Sequence, residues 1–418
     1  MRSVTSKVLT AALFGLTAYA LTACAQPSPR TAENLEFKAA GIHDRVTTFD
    51  AEMDIPLDFM TDKKDVGQLT TMQVDLPKMD QGKLDGAAFV IFASQGVRNA
   101  EGYAKARKDA DTKLAAIESM LAKYPDRIEL ARAPADVERI VAAKKHFVVL
   151  SVVNAFPYGE DVTWLSQLYA RGLRMVAFNH AGHNQFADSD RPQERFGDKT
   201  EEHGGLSPLG KQAVTEMNRL GIIVDVSQIS SAAILQAVAL SKAPVVASHV
   251  GVKAIVDNSR NLSDAEMKAI AAKGGVVHIV AFNSYLKNPP PEQEAELKAI
   301  EQKYGLKTFT DAFSKLPKDK LPNFQNEMAE YRARWPGANV SDMVDSIDYT
   351  VKLIGIDHVG VSTDMEHSGG IVGYKTAAEA EGLTRELVKR GYSERDIGKI
   401  WSGNFLRVWK EVEKRAGK

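Results

Sequence analysis

Short apolar runs alternate with helix-patterned segments along most of this chain, and that alternation limits the fold more than any other feature. Strand-like segments at 147–153, 174–178, 222–226, 244–248, 275–280 and 358–364 are interleaved with helix patterns. The helices are expected near 101–124, 134–145, 160–171, 208–220, 230–240, 263–273, 341–354, 376–391 and 394–413. Parallel neighbours need a crossover connection, usually a helix, so this order predicts a parallel sheet flanked by helices. The number of units suits a closed (β/α)8, TIM-like barrel better than an open doubly wound sheet. No G-x-G-x-x-G opens the first helix, which also weighs against a dinucleotide-binding fold.

Several of the apolar runs end on a polar residue. FDAEMD ends on Asp54, MVAFNH on His180, IIVDVSQ on Gln228, VVASH on His249 and VGVSTD on Asp364. In a barrel of this kind the C-terminal strand ends converge on one mouth, which is where such folds place their chemistry. Glu52 and Asp54 lie two apart, so on a strand both point to one face and repel unless a cation or proton relieves them. His180 leads into AGHNQFADS, which adds His183, Asn184 and Asp188, and Glu366 and His367 follow Asp364. Asp225 lies inside an apolar run and reads as a structural carboxylate. Arg260 precedes a helix that Ser263 is placed to cap, and an arginine there can grip a carboxylate bidentately.

The chain has 418 residues, room for one large barrel or two ordinary domains. A net charge of −1 and the lack of basic runs mixed with aromatics argue against a nucleic-acid partner. Arg2 and Lys7 precede an apolar stretch from Val8 to Leu21 that ends in Leu21-Thr22-Ala23-Cys24, which resembles a bacterial lipobox. On that reading residues 1–23 are a lipoprotein signal peptide, Cys24 is lipidated and residues 24–40 are a tether. The expected location is the bacterial cell envelope, with Ala25 favouring the outer membrane, facing the periplasm. Cys24 is the single cysteine, so no internal disulfide is available. Residues 41–418 then form the barrel. A proline-rich, charged stretch at about 285–340 interrupts them as a helical insertion, either simply solvated or serving as a lid or partner surface.

The segments FNHAGHNQFADS, GLSPLGKQAVTEMNRLGIIVDVS, APVVASH, SRNLSDAEMKAIAAKGGVV, IDHVGVSTD and GNFLRVW resemble the membrane dipeptidases of the renal dipeptidase type, from about residue 43 to 413. The resemblance implies an amidohydrolase-type barrel with two zinc ions that hydrolyses dipeptides bearing a free C-terminal carboxylate. It implies that His180 contacts the substrate carbonyl, that Arg260 binds the substrate carboxylate and that Asp364 shuttles protons. Of the five implied metal-ligand positions, Asp54 and His249 match, while Glu52, Val153 and Gln228 stand where histidine, glutamate and histidine are expected. A valine cannot bridge two metals and a glutamine is a poor zinc ligand. The expectation is therefore at most one divalent metal, held by Glu52, Asp54, His249 and Asp364, or none. His183 and His367 are the spare candidates for completing the site. Two functions follow: a metallodipeptidase of weak or lost activity, or a non-catalytic envelope lipoprotein that binds peptides or peptidoglycan fragments. The resemblance also suggests a homodimer.

Overall fold

The computed structural model describes residues 29–307, 312 and 316–417. Residues 1–23, expected as a signal peptide, and Cys24 lie outside the described residues. Eight parallel strands form a nearly closed ring, hydrogen-bonded in chain order: Phe49–Met53, Gly86–Phe92, His146–Val153, Leu173–Ala177, Ile223–Asp225, Val246–Val250, Val276–Val280 and Val359–Ser362. A short strand, Ile128–Leu130, pairs with the third outside the ring. The (β/α)8 expectation holds. Every residue of the eight ring strands is buried, because helices cover the outside and side chains fill the inside. That two-sided burial is why these strands read as apolar runs.

Two seams of the ring are sparsely paired. The fifth and sixth strands share one register pair, Asp225↔Val246. The eighth meets the first just beyond their ends, through Asp54 N–H to Met365 O at 3.1 Å and Asp364 N–H to Glu52 O at 3.1 Å. A buried aspartate stitches each seam in the same way. Asp225 Oδ1 accepts from Ser227 N–H (2.9 Å) on its own side and Ser248 N–H (3.0 Å) across the seam, while Oδ2 accepts from the Ser248 hydroxyl. Asp50 Oδ1 accepts from Glu52 N–H (3.2 Å) and Thr363 N–H (3.0 Å), while Oδ2 accepts from the Thr363 hydroxyl. Asp225 thus has the structural role its apolar setting implies.

The end of the barrel opposite the mouth is plugged by aromatic residues. Phe49 stacks on Phe147 at 5.6 Å and on Phe405 at 4.4 Å, and Phe405 packs against Trp409 at 6.0 Å. Phe405 and Trp409 come from the C-terminal helix Asn404–Arg415, so the GNFLRVW segment closes the floor. This sends the variable chemistry to the opposite face.

Most helices fall where periodicity places them, such as Ala100–Lys123 and Pro208–Leu220. Ser263 caps its helix with the reciprocal bond from its own N–H to Glu266 at 2.6 Å. The segments expected as helices at 376–391 and 394–413 are each broken. The first splits into a turn at Ala377–Glu379 and a helix at Glu381–Lys389. The second carries a π turn, Lys399–Gly403. The helix Leu76–Gly82 and the second ring strand, GAAFVIF, went unread.

From Pro29 the chain is helical to His43. His43 pins this helix to the barrel, its ring nitrogens bonding Thr384 Oγ1 at 2.7 Å and Gly82 O at 2.9 Å. The stretch at 285–340 contains helices Pro291–Lys303 and Leu321–Arg334 around a small core of its own, including Ile300, Phe324, Met328 and Tyr331. Among the described residues no helix is long and apolar enough to cross a membrane.

Candidate functional site

The strand ends converge as the pattern implies, and several do so in a left-handed backbone conformation that is costly for residues other than glycine. Asn154, Gln228 and Asp364 follow the third, fifth and eighth strands with φ of 71°, 68° and 55°. Glu366 and Ser368 continue the unusual path at 64° and 74°. Each such residue costs on the order of 1–3 kcal/mol and persists where its surroundings over-determine it, often at functional sites.

One side of the mouth is acidic. Asp54 is buried, and its Oδ1 accepts from Lys113 Nζ at 2.5 Å and from Ile55 N–H at 2.7 Å. Its Oδ2 meets His367 Nδ1 at 3.1 Å. Lys113 reaches in from the helix Ala100–Lys123, its ammonium 5.0 Å from the Phe92 ring centroid. Glu52 and Asp364 lie against each other. Burial and then the Asp364 charge hold the Glu52 carboxyl well above the usual range. Burial pushes Asp364 up to about 6, against the lowering influence of His367 and its hydrogen bond with Glu52. Two buried carboxyl groups side by side disfavour ionisation of both at once. Burial depresses His367, but the hydrogen bond to Asp54 and the Asp364 charge outweigh it, so its pKa is raised and the protonated form favoured. The Phe92 ring sits among these groups, 4.7 Å from His367 and 4.6 Å from His180. Val153 is buried in a small apolar cluster with Val90, Phe92 and Ala177.

The other side is built from imidazole, amide and guanidinium groups. Arg191 donates to Gln228 Oε1 at 2.7 Å. An arginine has only donors, so this contact fixes the amide orientation. The Gln228 NH2 group then faces His249 Nε2 at 2.7 Å, and that nitrogen must accept. The proton of His249 is therefore on Nδ1, donated to Ser248 Oγ at 2.7 Å, and Ser248 in turn donates to the stitching carboxylate Asp225. Burial first, then Arg260 and Arg191, hold His249 well below the ordinary imidazole range, so it is neutral. His180 is held low in the same way, by burial and then Arg191. Arg260 is buried, with Nη1 3.0 Å from Asp190 Oδ2 and Nη2 3.3 Å from His249 O.

This donor set does not fit a pair of zinc ions. The free nitrogen of His249 is capped by Gln228, Asp54 is paired with Lys113, and the bridging position is Val153. Among the described residues no three His, Cys, Asp or Glu side chains converge so as to hold an ion. Of the spare histidines, His367 joins the mouth through Asp54. His183 instead bonds Ser189 N–H and Lys199 O, away from these groups.

Sequence reading missed Lys113, Asp190, Arg191 and Phe92. A cavity of about 130 Å³ lined by Asp54, Phe92, Lys113 and Glu366 opens at the mouth. A larger one of about 720 Å³, lined by Arg98, Tyr103, Gln185 and His203, contains none of the strand-end residues.

The family model for membrane dipeptidases (peptidase family M19) matches residues 36–418. The chain is 28% identical to the dipeptidase aclJ of Aspergillus oryzae over 347 residues, 82% of this chain and 70% of that protein. It superposes on the crystal structure of the probable dipeptidase PvdM from Pseudomonas aeruginosa with a TM-score of 0.83 at 38% identity, covering 93% of this chain and all of that one. A Rhodobacter sphaeroides metallopeptidase solved with a phosphinate mimic of L-Ala-D-Ala is similar in fold, with a TM-score of 0.65 at 20% identity and 88% of this chain covered against 99% of that one.

Proposed function

Because the chain belongs to the membrane dipeptidase family over nearly its whole length, we propose that it is a dipeptidase-type barrel that binds a peptide-like ligand without metal-dependent hydrolysis. The observation that carries this reading is that internal partners engage Asp54 and His249, the two matching ligand positions. Lys113 Nζ lies 2.5 Å from Asp54, and the Gln228 amide lies 2.7 Å from the acceptor nitrogen of His249. Water acidified between two metals has no seat here. What remains at the strand ends is a neutral imidazole at His180, a buried guanidinium at Arg260 and a buried carboxyl pair at Glu52 and Asp364. Such groups can orient an amide through hydrogen bonds. Anchoring through a lipidated Cys24 at the outer membrane, and pairing with a second copy, belong to the same reading and rest on the sequence alone.

Elemental analysis of the purified protein is expected to show far less than one zinc per chain, and a dipeptide panel should show no chelator-sensitive turnover. Two zinc ions per chain, or hydrolysis abolished by a chelator, would overturn the reading.

A further inference from the structure

Arg260 is nearly cut off from solvent, its side chain 2% exposed. A cation so placed needs an anion beside it, and the chain itself supplies one. Asp190, in the loop after the fourth strand, is 3.0 Å from Arg260 Nη1. The next residue, Arg191, turns its Nε toward the other oxygen of Asp190 at 3.6 Å while its Nη2 holds Gln228 at 2.7 Å. One carboxylate is thus shared between two guanidinium groups, and the field of Asp364 acts on both cations.

A ligand carboxylate aimed at Arg260 therefore meets a filled seat. To enter, it must displace Asp190, whose side chain is only 8% exposed and would keep just the 3.6 Å contact with Arg191. Asp190 Oδ1, moreover, is buried with no close hydrogen bond among the described residues, only the 3.6 Å ion-pair contact with Arg191. A buried carboxylate with spare acceptor capacity favours a donor from the ligand, not a second acceptor.

We propose that Asp190 is a specificity-determining residue that occupies the place of a ligand carboxylate on Arg260. The pocket then takes peptide-like molecules that present a neutral donor there, a carboxamide or a continuing peptide N–H, and rejects a free C-terminal carboxylate. This rests on the ligand-binding reading above.

Two measurements on the full chain test it. The first is thermal unfolding with and without acetate, for the wild type, Asp190→Ala and the volume-preserving Asp190→Asn. Acetate should stabilise Asp190→Ala by entering the vacated seat and leave the wild type nearly unmoved. Equal stabilisation of both, or none of either variant, overturns the seat assignment. The second is calorimetric binding of L-alanyl-L-alanine and its C-terminal carboxamide. The wild type should prefer the carboxamide by about tenfold or more, and Asp190→Asn should reverse or erase that preference. A wild type that prefers the free acid, or a ratio unchanged in Asp190→Asn, overturns the specificity claim. If acetate rescues Asp190→Ala while neither form binds either peptide, the seat assignment stands and the peptide-binding reading falls.

Discussion

Lys113→Met isolates the cation that Asp54 depends on. Lys113 and Asp54 are 5% and 6% exposed, and their charged atoms are 2.5 Å apart. Methionine keeps the stem beside Phe92 and removes the charge. Breaking one side of a buried ion pair costs about 3–5 kcal/mol, because the remaining charge is left uncompensated. Asp54 would retain the Ile55 N–H at 2.7 Å and His367 at 3.1 Å, which places the expected loss near the lower bound, about 3 kcal/mol. With an unfolding entropy of roughly 2.1 cal/mol/K per residue, a chain of 418 residues would melt about 3–4 °C lower. Asp54→Asn on top of Lys113→Met removes the stranded charge and should recover most of the loss in a double-mutant cycle read by calorimetry. Lys113→Met should also gain protection from added Mn2+, since Asp54 would then need another cation, whereas the wild type should gain none. A Lys113→Met protein that melts within about 1 °C of the wild type, or a double mutant no better than the single, would refute the idea that Lys113 stands in for a cation.

Burial holds Asp50 at a pKa of about 7 against 3.8 for the free group. The folded state therefore keeps a proton that the unfolded chain releases. Stability should fall as pH rises between about 4 and 7, by up to a few kcal/mol from this group. Asp50→Asn can keep both N–H contacts and donate to Thr363, so urea midpoints at pH 5 and 7.5 should converge in that variant. Equal slopes in both proteins would count against it. Restoring the implied ligands with Glu52→His, Val153→Glu and Gln228→His should fail to create a two-zinc site while the Lys113 ammonium is still against Asp54. Adding Lys113→Met to the three should yield two bound zinc ions, counted by titration calorimetry. Tight two-zinc binding by the triple variant alone would show that Lys113 does not block the seat.

The barrel was legible because strands buried on both faces leave continuous apolar runs and helices buried on one face leave a helical period. The strand that escaped, Gly86–Phe92, is as apolar as the rest. The site was legible only where a polar residue ends an apolar run, as at Asp54, His180, Gln228, His249 and Asp364. What escaped are the partners of those residues. Lys113 lies 59 positions from Asp54, and Asp190 lies 70 from Arg260. One is a lysine among many on an amphipathic helix and the other a charge in a polar loop, so neither leaves a local pattern. Their meaning comes from burial beside an opposite charge, which only the folded chain creates.

The two aspartate stitches have a mechanical consequence. The ring is weakest in main-chain pairing at the seams they hold, so it can be regarded as two half-shells, strands one to five and six to eight. Each seam carries one half of the site: Glu52 and Asp364 hang from the Asp50 seam, Gln228 and His249 from the Asp225 seam. Any spreading of the shells changes the spacing within the carboxyl pair or loosens the amide cap on His249. Amide exchange at Ser227, Ser248, Glu52 and Thr363, whose N–H groups bond to side-chain carboxylates, would therefore serve as a strain gauge for the mouth.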